Sequence, residues 1–278
     1  MPFRGAHYLI AAFLAVTVVA FWPTYFSVLD AAPSAHHWHG VTATLWMLLL
    51  IWQSWSIRQR NVSLHKWGGR MSFLLAPPLV AGGLLVTKMT VIKDSPFTQM
   101  FAISLSFADF VSVAAFVLFY FLALRNRRSV EHHARYMLAT VFPLIPPSVA
   151  RIFTGYVPGI AIRGPDDLPN FGIALNLSFV IAALIAIALL VHDARRKKPL
   201  TPFVLVLASL LLMIGVYHSY GNSAHWEQTV LAYASFSDAT LIIAGLIIGA
   251  AAAFFGWTFH GKPAGAPSVA AMGSKHTN

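Results

Sequence analysis

The sequence predicts an all-α fold: a polytopic transmembrane helical bundle of about eight spans, with both termini in the cytoplasm. Apolar runs of about 20 residues recur from end to end, and each is long enough to cross a hydrocarbon core as a helix. Only 10% of the 278 residues are charged and 58% are hydrophobic, where a soluble domain carries roughly 25% charged residues. Basic residues cluster on alternate connections. A membrane β-barrel would instead show short alternating segments.

The spans read in order as 7–29, 36–57, 71–92, 97–124, 134–158, 171–192, 202–219 and 238–259. The first carries Arg4 ahead of it like a signal peptide, but its apolar run is longer than the usual h-region of roughly 7–15 residues. The second opens on His36, His37 and His39. The third begins after the "LHKWGGR" stretch, which leaves His65 just before its helix, and its "APPLVAGG" combines small residues suited to close helix packing. The fifth is interrupted by Pro143, Pro146 and Pro147. The eighth is the run "SDATLIIAGLIIGAAAAFFGWTF". Residues 1–260 form one transmembrane domain, and 261–278, small, polar and Pro/Gly-bearing, read as a disordered cytoplasmic tail.

Charge orients the bundle. Arg4, Arg58, Arg60, Lys66, Arg70, Arg125, Arg127, Arg128, Arg135, Arg195, Arg196, Lys197, Lys198, Lys262 and Lys275 fall on one side. Only Lys88, Lys93, Arg151 and Arg163 fall on the other, so the first side is cytoplasmic and the chain belongs in a bacterial inner membrane. The net charge of +10 is thereby accounted for by placement and by anionic lipid, without nucleic acid. The absence of cysteine excludes disulfides, thiolate metal sites and iron–sulfur clusters.

Ionisable groups inside membrane helices are costly and are functional candidates by default. His39, Trp46 and Gln53 are separated by sevens and form one stripe down the second span. Asp109, flanked at i−3 and i+3 by Ser106 and Ser112, lies near mid-depth of the fourth. Arg151, Asn176 and His218 lie in the outer halves of the fifth, sixth and seventh, and Asp238 begins the eighth. Two readings stand side by side. Asp109 and Arg151 form a structural ion pair beside a proline kink, or they line an outward-opening polar cavity that binds a small, perhaps anionic, ligand as a carrier or sensor would. The leading functional reading is a haem b or a divalent metal serving membrane electron transfer, and the carrier or sensor is its main competitor. Haem ligation needs facing histidines, available as His39 with His218, or as His65 with His133 with Arg70 and Arg135 near the propionates. A metal would take His37, His39 and His218, with Asp238 or His36 in reserve. No phosphate loop, GxSxG elbow or HExxH is present. A third reading is an accessory subunit of a larger membrane complex.

The run "HHWHG", then "LHKWGGRM", "EHHARYM" and "VARIF", resembles a group of uncharacterised bacterial inner-membrane proteins. Their pattern is H-x-H-G, H-[RK]-x-x-G and H-x-R-x-M, with an arginine near the end of the following helix. The matching positions are His37, His39 and Gly40; His65, Lys66 and Gly69; His133, Arg135 and Met137; and Arg151, within residues 36–152. A looser likeness is to transmembrane b-type cytochromes. It implies haem; a quinone partner goes with the electron-transfer reading, and a membrane-protein partner with the accessory-subunit reading.

Overall fold

The computed structural model describes residues 3–259. The expected disordered tail lies outside the described residues. Ten α-helices carry the fold in this order: α1 Ala6–Phe21, α2 Ser34–Arg58, α3 Val62–Ile92, α4 Ile103–Arg125, α5 Val130–Ala139, α6 Ile145–Tyr156, α7 Asn170–Arg195, α8 Thr201–Ser219, α9 Ala224–Ala234 and α10 Asp238–Thr258. No strand occurs among the described residues. Among the described residues, seven stretches are long and apolar enough to cross a membrane: α2, α3, Thr98–Arg125, Val130–Tyr156, α7, α8 and α10.

The first expected span is shorter than the sequence suggested. α1 has 16 residues, about 24 Å of helix. It stops at Phe21 because Pro23 lacks an amide donor and restricts the residue before it. A 3₁₀ turn, Phe26–Ala31, follows it.

The second correction concerns α3, which starts at Val62 rather than 71 and runs for 31 residues. The Asn61 side chain caps it by accepting from the Leu64 amide at 2.9 Å. His65, Lys66 and Arg70 are therefore helical residues, one to two turns in. Apolar content marked only the membrane-depth part of this helix; the cap marked its start.

The fifth span is a broken helix. α5 ends at Ala139, a 3₁₀ turn covers Phe142–Leu144, and α6 resumes at Ile145. Three prolines remove three amide donors there, and buried Thr140 occupies the break. Its hydroxyl donates to the Met137 carbonyl at 2.7 Å and accepts from Trp46 Nε1 at 3.1 Å. A further helix, α9, sits between the last two spans.

α3 is the central element. It packs against α2, α4 and α10, and its small residues admit those neighbours closely. A Cβ on Gly82 would lie 3.0 Å from the His39 Cα, and one on Gly83 would lie 2.8 Å from the Val113 Cγ2. The expected use of "APPLVAGG" in packing is what these contacts show. α9 packs against α3 and α4, and α6 packs against α1 and α7.

Candidate functional site

The α2 stripe faces the bundle interior. Trp46 is fully buried and rests edge-on against Phe116 and Tyr120, at ring distances of 5.0 and 5.4 Å. Gln53 is also buried. In the amide orientation that satisfies both ends, its nitrogen donates to His65 Nδ1 at 2.7 Å and to the His65 carbonyl at 3.0 Å, while its oxygen accepts from the Gly69 amide at 3.1 Å. His39 heads the same face.

At the charge-poor end His36, His39, Asp109 and Arg151 lie near one another, and the first three have no side-chain hydrogen bond among the described residues. Neither ring nitrogen of His36 or His39 is bonded among the described residues, and the Nδ1 atom of each is buried. Asp109 has no hydrogen bond and no ion pair among the described residues. The Arg151 guanidinium is near enough for its charge to act on Asp109, His39 and His36. Asp109 acts in the same way on Tyr233.

Arg151 itself is held from two sides. Its Nη1 donates to the Pro147 carbonyl at 3.0 Å, and its guanidinium lies over the Phe21 ring at 4.2 Å. The proline-broken stretch thus supplies the carbonyl and α1 supplies the aromatic face. Its remaining N–H groups are left for another acceptor. The ion pair expected between Asp109 and Arg151 is not formed: no nitrogen–oxygen contact within 4.0 Å joins them among the described residues. They are charged neighbours with a gap between them.

Several other expected partners are engaged elsewhere. His37 Nδ1 is hydrogen-bonded to the Tyr25 hydroxyl at 2.8 Å. His218 Nε2 meets Asn176 Oδ1 at 2.8 Å, and both residues are exposed on α8 and α7. Ser106 donates to the Ile103 carbonyl at 2.6 Å and Ser112 contacts the Met213 sulfur at 3.7 Å, so neither serves Asp109. Asp238 pairs with Lys88 at 2.7 Å. Among the described residues no group of three or more His, Asp or Glu side chains converges as a metal would require.

The cluster is covered on its charge-poor side. From α9, Tyr233 donates to the Leu84 carbonyl at 2.6 Å and Trp226 Nε1 to the Ile103 carbonyl at 2.8 Å. Ile103 follows a π-helical turn, Thr98–Ala102, of the kind that often marks functional sites. Phe110 packs edge-on under Tyr233 at 4.7 Å.

The basic end brings His65 and His133 together, their ring centroids 6.4 Å apart and their planes perpendicular. His133 Nδ1 donates to the Ala123 carbonyl at 2.9 Å, which leaves its Nε2 with the lone pair. Arg135, expected beside a propionate, is committed elsewhere. Its Nε and Nη2 grip Asp193 at 2.6 and 2.7 Å, and its Nη1 meets the Glu131 carboxylate. Lys198 closes the network on Glu131 at 3.0 Å. Asp193 lies one residue beyond the expected end of its span, next to a basic run. Tyr25, Tyr233 and Glu131 gave no signal at all, since each acts through tertiary contacts.

Comparison with known proteins finds no matching family model, no matching curated protein and no matching solved structure.

Proposed function

We propose that this chain is an integral protein of a bacterial inner membrane that binds a small ligand at His36, His39, Asp109 and Arg151, as a carrier or sensor does. One observation supports the reading most: buried histidine nitrogens, a carboxylate and most of a guanidinium stand together without partners. A buried polar group without a hydrogen bond costs about 1–3 kcal/mol, so the two buried and unbonded Nδ1 atoms of His36 and His39, beside an Asp109 carboxylate that makes no hydrogen bond among the described residues, favour a ligand that completes them. A structural ion pair would have closed on itself.

The site offers opposite formal charges on Asp109 and Arg151 and two imidazoles able to donate or accept. Arg151→Gln and Asp109→Asn are expected to abolish ligand-induced thermal stabilisation, with unliganded stability changed by less than about 1 kcal/mol. The check is a small-molecule thermal-shift screen on the purified protein. Stabilisation that persists unchanged in both variants would overturn the assignment of the site.

The approach of His65 and His133 favours a second reading, haem b at the basic end for electron transfer. His65 and His133, with ring centroids 6.4 Å apart, would hold the haem. The propionate partner fits less well: Arg135 is bound to Asp193 and Glu131, which leaves exposed Arg70. When bound, haem would supply one-electron chemistry. On this reading the as-purified protein shows a Soret band that dithionite shifts and that His133→Ala removes while His132→Ala does not. A spectrum without such a band removes the reading.

A further inference from the structure

The ligand class can be narrowed from the surroundings of the charge-poor cluster. We propose that it takes the head group of a lipid-soluble quinone or quinol, whose apolar tail lies in the groove between α4 and α10. This rests on the reading of the cluster as a ligand site.

Charge is the first argument. Asp109 and Arg151 carry opposite formal charges and the histidines add none when neutral, so the cluster is balanced before any ligand enters. A monoanion would leave a net charge in a low-dielectric interior, which is costly. A neutral head with oxygens that accept from Arg151 or an imidazole, and as quinol donate to Asp109, leaves the balance intact.

Access is the second. The water-facing approach is covered by Tyr233 and Trp226 of α9, bonded to α3 and to the first residue of α4, and by Tyr25 bonded to His37. The lateral approach is open. A groove of about 560 Å³ runs between α4 and α10, and every residue lining it is apolar, from Phe110 and Val113 at one end to Phe121 and Phe255 at the other. The span from Phe110 to Phe121 is about 16 Å of helix, long enough for several isoprenoid units. The groove begins where the cluster ends. Phe110 follows Asp109 directly, Val113 lies one turn below it on the same face, and both pack in the cluster of apolar side chains that contains Ala35, one turn from His39. A polar head deep in the bundle, covered toward water and continuous with an apolar furrow open to lipid, suits an amphipathic ligand arriving from the bilayer.

The test uses the full-length protein purified in mild detergent. Organic extraction counts co-purified quinone per chain, and a decyl-tailed benzoquinone and the same head without its tail are titrated against tryptophan fluorescence. Quinone is expected in the extract, and both probes are expected to bind. Asp109→Asn is expected to weaken both about tenfold. Ala114→Trp, at an exposed groove position, is expected to weaken the tailed probe about tenfold and leave the bare head unchanged. Size-exclusion profiles matching the wild type establish that both variants fold. An extract holding phospholipid but no quinone, with neither probe binding, overturns the inference. If a water-soluble compound still stabilises the wild type but not Arg151→Gln, the quinone assignment falls alone. A flat screen with every ligand removes both. Equal weakening of both probes by Ala114→Trp overturns the tail placement.

Discussion

Asp193→Ala is expected to lower unfolding free energy by about 3 kcal/mol, the largest loss from any single polar truncation in this chain. Asp193 is fully buried and Arg135 is 2% exposed, and they meet through two nitrogen–oxygen contacts at 2.6 and 2.7 Å. Removing the carboxylate leaves a guanidinium that cannot reach water. Glu131, one turn back on the same helix and 37% exposed, offsets only part of that loss. The ring of Phe3, 5.1 Å from the guanidinium, covers it further and keeps solvent from replacing the lost partner. The pair ties α5 to the end of α7, so its loss also loosens the limb that continues through the proline break into α6 and Arg151. SDS or thermal unfolding in detergent measures the effect. The double variant Arg135→Met with Asp193→Leu is expected to recover most of the stability, because exchanging a buried pair for apolar groups is commonly neutral or favourable. A single variant within 0.5 kcal/mol of wild type, an order-of-magnitude floor for a surface change, would show the pair to be solvated.

The sequence carried the membrane class and most span limits because both depend on local hydropathy, which is additive along the chain. It also carried the α2 stripe. A spacing of seven keeps His39, Trp46 and Gln53 on one face, and the burial of Trp46 and Gln53 follows. What failed was pairing. Asp109 and Arg151 were matched because two isolated charges at similar depth are expected to meet, yet the Pro147 carbonyl and the Phe21 ring already hold the guanidinium. His218 was matched to His39 by depth alone, whereas α7 presents Asn176 to it across an exposed face. Depth fixes one coordinate of a side chain; rotation about the helix and the order of helices fix the others, and neither is written in the composition of a single span. The basic end shows the same limit. Arg135 looked free because its partner, Asp193, is 58 residues away in sequence and sits outside any apolar run.

Gly245→Leu is expected to be comparably damaging, for steric rather than electrostatic reasons. A Cβ at Gly245 would stand 2.3 Å from the Ala81 Cα and 2.6 Å from its nitrogen, and one at Gly249 would stand 2.5 Å from the Pro77 Cα. These obstacles are backbone atoms, so no rotamer change relieves them; α10 and α3 must move apart. Gly245 and Gly249 are one turn apart, as are Pro77 and Ala81 opposite them, giving two small-residue steps that let the backbones touch. In a bilayer, where lipid tails are as apolar as the helices, such close packing supplies much of the attraction between them. Even Gly245→Ala is expected to cost about 1–3 kcal/mol, the usual range for overpacking a tight contact, and the leucine variant more. Gly215→Ala in α8 is the matched control, since nothing lies within 4 Å of its Cβ, and helix propensity alone makes it neutral or stabilising by about 0.5–1 kcal/mol. The functional consequence separates the two. α10 forms one wall of the groove below Asp109, so a displaced α10 widens that groove and is expected to weaken tailed-quinone binding in Gly245→Ala but not in Gly215→Ala. Unfolding curves and probe titrations on the same two preparations measure both effects. Equal stability in the two variants would mean that α10 and α3 separate without cost.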